Sequence, residues 1–186
     1  MKKSIIAGLL TVLLPLVTSA SEYTELDKAN SGISFQYEQM GVSMDGQFKE
    51  FTGNLKFDPE KPESAQADFD VALASVDAGS DEANDEVVGE SWFNAAAFPQ
   101  AHFQSTAVKA LGDNKYEVAG KLTIKGKSVD VIVPATFTEA DGQGTFSGTF
   151  TIKRGDFSIG EGSWSTFDIV ANDINVSFKL AAKSSH

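Results

Sequence analysis

The chain contains no cysteine. That excludes a disulfide framework, thiolate metal sites and a cysteine nucleophile. Arginine is almost as scarce, with Arg154 the single example among 15 basic residues. A nucleic-acid surface needs a stripe of Arg and Lys, and none is present. There are two histidines, His102 and the terminal His186. A Ser-His-Asp triad needs a histidine set between a nucleophile and a carboxylate, and neither histidine stands in such a pattern. A zinc site would have to be built mainly from carboxylates, a poor match to the usual donor set, so no metal is expected. Apart from the first twenty residues, no apolar run approaches membrane-spanning length.

Acid and phenylalanine are abundant. Asp and Glu number 26, for a formal net charge of −11. Such a surface repels nucleic-acid phosphates and anionic membrane faces. Phenylalanine appears 14 times against two Trp and three Tyr. Phe carries no polar handle, so this many rings mean a large core or a greasy cavity.

The first residues read as an export signal. Lys2 and Lys3 form a positive start, Ile5 to Val17 an apolar stretch, and Thr18-Ser19-Ala20 a small-residue cleavage site. The expected organisation is a leader over residues 1–20 and one domain over 21–186, soluble in the periplasm. Loss of the two lysines takes the charge to about −13. No cysteine follows the apolar stretch, so a lipoprotein anchor is excluded.

Beyond Ser21 the dominant period is two, the period of a strand. Ile33, Phe35 and Tyr37 alternate with polar residues, as do Ala65, Ala67, Phe69 and Val71. The same holds for Tyr116 to Ile124, Val129 to Phe137, Phe146 to Ile152 and Ile174 to Leu180. One apolar and one wet face per strand is the antiparallel signature. Turn signals separate the runs at Gly41, Asp58-Pro59, Gly112-Asp113-Asn114, Lys125-Gly126 and Asp141-Gly142. The reading is all-β, a sandwich or a barrel. Residues 80–98 break the alternation and read as one or two short helices inserted between strands. Asp81, Glu82, Asp85 and Glu86 lack the spacing of a calcium loop and read as a solvated helix face, with acids near its N-terminus. His102 flanks an inward Phe103 and so should point outward. Arg154, with Asp156 two residues on, reads as a structural residue paired with a carboxylate; the other reading is contact with an anionic or quinone head group.

Five stretches carry a resemblance: Ile33–Glu60, Ser75–Gly79, Glu90–Ser105, Tyr116–Pro134 and Phe150–Trp164. Most specific is W-F-x(4)-F-P-x-A-x-F-x-S followed by G-x-L-T-I-K-G. In these the chain resembles the YceI-like family of bacterial periplasmic proteins. The resemblance implies a lipocalin-like, extended antiparallel barrel of about eight strands, a size that can hold one slender ligand. It also implies a carrier rather than an enzyme, holding a polyisoprenoid or quinone-type lipid. No cofactor is implied beyond a co-purified lipid of that kind. Neither nucleic acid nor stable membrane insertion is expected; dimers are common among similar proteins, which leaves a homodimer open. Relatives often carry His where this chain has Asn30 and Gln39, and Gly where it has Ser158.

On inward parity and this resemblance, the expected ligand-lining side chains fall in two groups. Aromatic ones are Phe35, Tyr37, Phe48, Phe69, Trp92, Phe103, Phe146, Phe150 and Phe178. The others are Leu73, Leu122, Val131 and Arg154. Sequence alone does not separate a hollow barrel from a filled one. A large residue at Ala67 or Gly120 is expected to be tolerated only if it is hollow. Two other functions stand beside the carrier: an interaction protein of envelope stress acting through its acidic exterior, and a hydrolase using carboxylates. Sequencing the N-terminus of envelope-fraction protein should begin at Ser21 or within two residues of it. A protein still starting at Met1 would defeat the export reading.

Overall fold

Four of the turns have the backbone that a tight hairpin demands. Met40-Gly41, Asp113-Asn114, Lys125-Gly126 and Asp141-Gly142 all have positive φ at both positions. That pairing marks the two-residue turn whose twist matches the flanking strands. Each such hairpin fixes the register, and hence which face of the strand is buried. A computed structural model describes residues 22–185; the expected leader lies outside the described residues.

The strands are β1 (Glu22–Gln39), β2 (Val42–Phe48), β3 (Phe51–Lys56), β4 (Gln66–Ala72), β5 (Val76–Asp77), β6 (Gln100–Gly112), β7 (Lys115–Ile124), β8 (Lys127–Ala140), β9 (Gln143–Lys153) and β10 (Asp173–Ser185). They form one antiparallel sheet in the order β3-β4-β6-β7-β8-β9-β10-β1-β2-β5. The sheet curls until its ends meet. Tyr23 in β1 and Phe57, just past β3, exchange both backbone bonds, at 2.8 and 3.1 Å. The all-β barrel expected from the sequence is therefore present, with ten strands rather than about eight. Two details make the difference. β2 and β3 are one run bent at Lys49-Glu50, and β5 is only two residues long. The expected helical insertion is a single α-helix, α1 (Asp81–Val88), followed by turns. Ser80 caps it by accepting from the Ala83 N–H at 3.2 Å, and Asp81 and Glu82 occupy its first turn. No helix among the described residues is long and apolar enough to cross a membrane.

Two separate clusters make up the core. The first closes one end of the barrel with rings. Phe57 lies 4.9 Å from both Phe137 and Phe146 and 5.3 Å from Tyr116, two of these contacts edge-to-face. Tyr23 adds another edge contact to Phe137 at 5.2 Å. Such pairs contribute about 0.5–1.5 kcal/mol each beyond area burial. The second cluster lies toward α1 and includes Leu73, Trp92, Leu122, Ile152, Phe157 and Val170.

Tyr23 is fully buried in the ring cluster, and among the described residues its hydroxyl has no hydrogen-bond partner of good geometry. Burial, with the Glu139 carboxylate close by, pushes its pKa up to about 12. The folded protein therefore holds this proton where the unfolded chain, titrating near 10, releases it. The contribution is intact below pH 10 and is lost as pH rises toward 12. Tyr23→Phe should raise stability by about 1 kcal/mol or more, by removing a buried unpaired hydroxyl. It should also flatten the fall in stability between pH 10 and 12, read by urea unfolding across that range.

Candidate functional site

Inside the barrel a cavity of about 680 Å³ remains between the inward side chains. Alternation on the strands puts apolar residues into it. β1 supplies Ile33, Phe35 and Tyr37; β4 supplies Phe69 and Val71; β9 supplies Phe146, Phe150 and Ile152; β10 supplies Val176, Phe178 and Leu180. The floor is wholly apolar, made by Leu55, Ala67, Val118, Val133 and Ala135 above the ring cluster. Polar groups gather at the α1 end, where Gln39, Ser80, Glu82 and Glu86 border the space. A volume of this order is typical of small-molecule sites.

Of the thirteen expected lining residues, all but Val131 border the cavity. Val131 is half-buried against the second cluster instead. It stands opposite Gly120 in the β7–β8 register, where the Phe103 ring folds across the sheet and takes the cavity-facing position. That ring also corrects the expectation for Gly120. A Cβ there would lie 2.5 Å from the Phe103 ring and 2.8 Å from the Gln104 carbonyl oxygen. A large residue at Gly120 is excluded by the wall of the barrel, whether or not the interior is hollow. Ala67 borders open space and keeps its value as a probe.

Arg154 departs furthest from expectation. It is 1% exposed and, among the described residues, pairs with no carboxylate; Asp156 is exposed. The long link from β9 to β10 wraps around it and presents carbonyls. Its Nε–H donates to Ala171 at 3.2 Å. Nη1 donates to Ile159 at 2.8 Å and Gly160 at 3.3 Å. Nη2 donates to Trp164, Thr166 and Val170 at 2.9–3.0 Å. The rigid fork of five N–H groups is thereby used in full on backbone oxygens. Trp92 and Phe167 also lie against the guanidinium, at 5.3 and 4.8 Å. Burial pulls its pKa below the ordinary arginine value. Both sequence readings of Arg154 need correcting: the partner is not a carboxylate, and no N–H is left for a head group. Its carbonyl partners lie in an irregular loop, where no periodicity announces them.

Glu86, expected on a solvated face, ties α1 to the barrel. Its Oε1 accepts from Trp164 Nε1 at 2.8 Å and from Trp92 Nε1 at 3.2 Å, and the two indoles pack at 5.4 Å. Trp164 and Glu86 were absent from the expected lining set, as were Ala83 and Val87 of α1. The E-x-x-x-x-x-W spacing of Glu86 and Trp92 was the only local signal for this contact. At the same end Tyr37 donates to the Ala78 carbonyl at 3.1 Å, and burial raises its pKa. His102 points outward, as its parity required, and lies against Asp70 at 2.9 Å.

A closed antiparallel sheet around an apolar hollow, capped by rings at one end and by a short helix at the other, defines a lipocalin-like β-barrel. The YceI-like domain matches residues 24–182, and the chain belongs to that family. A UPF0312 protein of Shewanella sp. (strain W3-18-1) is 30% identical over 172 residues, covering 86% of this chain and 88% of that one. Among solved structures, BcnA of Burkholderia cenocepacia is 42% identical with a TM-score of 0.83, covering 86% of this chain and all of the other. A polyisoprenoid binding domain from Saccharophagus degradans shares the fold at 15% identity and a TM-score of 0.67, covering 90% of this chain and all of that one.

Arg154→Ala should lower stability by about 3 kcal/mol or more, because it leaves buried carbonyls without donors and removes the ring contacts. Arg154→Lys should recover only a minor part, since one ammonium cannot reach the carbonyls a fork serves. Urea unfolding of both variants checks this. Equal stability of the alanine variant and the parent would contradict the structural role.

Proposed function

We propose that the protein is a periplasmic carrier that shields an isoprenoid or quinone-type lipid from water. The observation that carries this reading is the apolar cavity of about 680 Å³ that the inward side chains of the barrel leave unfilled. Occupying it with hydrocarbon removes apolar surface from water, a gross gain of ~25 cal/mol per Å² before ordering costs. At roughly 30 Å³ per water-sized group, about 680 Å³ takes about twenty such groups, the bulk of a short isoprenoid tail. The family supports the same reading, as does the Saccharophagus degradans neighbour named for polyisoprenoid binding. The export signal read from residues 1–20 supports the compartment.

The cavity also suggests an orientation. Its apolar floor suits the tail, and its polar rim near α1 suits the head. The rim offers Glu82 and Glu86, while the N–H groups of Arg154 are all engaged. A neutral head fits this rim better than a phosphate or pyrophosphate. Carriage rather than catalysis is favoured by the lining, which contains no histidine or lysine beside a nucleophile.

Protein purified from its native envelope should carry an organic-extractable lipid, seen by native mass spectrometry. Ala67→Trp should fill part of the floor, change stability by less than about 1.5 kcal/mol and reduce lipid retention at least tenfold. A neutral prenyl lipid should bind more tightly than the prenyl phosphate of equal length. Absence of lipid in the parent protein, together with severe destabilisation by Ala67→Trp, would overturn the carrier reading.

A further inference from the structure

On the outer face of the barrel, away from the cavity, β4 and β6 bring together three side chains with metal-ligating atoms. Asp68 and Asp70 alternate outward on β4, and His102 and Gln104 do so on β6. The register sets Asp70 opposite His102 and Asp68 opposite Gln104. The ligand atoms of Asp68, Asp70 and His102 all lie within 4.8 Å of one another. We infer that His102 and Asp68, oriented by Asp70, form a surface site for a divalent transition metal of the zinc or copper kind.

The geometry assigns each role. Asp70 Oδ1 lies 2.9 Å from His102 Nδ1, and an ionised carboxylate can only accept, so Nδ1 carries the hydrogen. The Nε2 lone pair is then free, and it faces Asp68 Oδ2 at 3.9 Å. Two donors on one tetrahedral zinc, each about 2.0–2.2 Å from the ion, stand about 3.3 Å apart. A small side-chain rotation closes the difference. Asp70 is therefore a positioning residue, in the carboxylate–histidine–metal arrangement that fixes ring and tautomer. Gln104 Nε2 donates to Asp68 Oδ2 at 3.3 Å and steadies the second ligand.

Charge supports the same assignment. Among the described residues, no Lys or Arg lies within ion-pairing distance of either carboxylate; His102 is the partner of both. Lys121, opposite Gln104, is taken by Asp130 at 2.7 Å. Two uncompensated carboxylates on a strongly acidic protein draw cations. The three side chains are 37–40% exposed, so a hydrated ion reaches them and keeps water in its remaining positions. An imidazole with a carboxylate selects zinc, nickel or copper over calcium, which prefers six to eight oxygens.

The chain's two histidines make the test clean. Zinc is titrated calorimetrically into the whole exported protein in a buffer that does not chelate. One site is expected in the parent and in His186→Ala, and none in His102→Ala. Asp68→Asn and Asp70→Asn should each weaken binding about ten- to a hundredfold. Copper should bind more tightly than zinc, with the electron paramagnetic resonance signature of a single imidazole nitrogen. That signature is read on the parent, so the result does not depend on a variant folding. Binding retained in His102→Ala, unchanged affinity in both aspartate variants, or displacement of zinc by equimolar calcium would each overturn the site.

Discussion

A small closed sheet must fill its interior with its own side chains or enclose something else. Every feature of this protein's inside follows from how that constraint is met at each level. At one end Phe57 brings Tyr116, Phe137 and Phe146 into contact across the axis. Above them small residues such as Ala67 and Ala135 border a cavity instead. Phe35, Phe150 and Phe178 line the walls there, half-buried against a void. An unfilled apolar void forfeits dispersion contacts on one side of its lining, so an occupant that restores them is stabilising.

The other end is built differently, and Arg154 explains why it can be. The link between β9 and β10 has neither helix nor strand long enough to satisfy its own carbonyls. One guanidinium collects six of them and presses on Trp92 and Phe167. Trp92 and its neighbour Trp164 in turn hold Glu86, and through it α1. The polar rim of the cavity is thus joined to the buried arginine by a short chain of contacts. The structural duty of Arg154 and the shape of the cavity's polar rim are the same fact seen from two sides.

Much of this was legible in the residues. Alternation placed the inward faces of β7, β8, β9 and β10, and positive-φ turn sequences marked the hairpins between them. His102 was assigned outward from the parity of Phe103 alone. What escaped has a common cause. The carbonyl partners of Arg154 are backbone atoms of an aperiodic loop, identical in every residue type. Asp70 and His102 stand thirty-two residues apart and meet only through the β4–β6 register. The bend at Lys49-Glu50 interrupts pairing without interrupting the sequence pattern. Gly120 looked like spare room, but a glycine in a strand can equally mark the place where a neighbouring ring crosses the backbone. Hollow and filled barrels draw on the same inward residues, and only their spacing across the axis tells them apart.

The central claim is that the space between the two clusters holds a lipid tail. A crystal structure of protein purified from its own envelope, without delipidation, tests it most directly. The account predicts continuous tubular density running from the Phe146 floor to the rim at Glu86, in contact with Phe35, Phe150 and Phe178. Ordered water in that space, or inward movement of those three rings until they pack on one another, would contradict it.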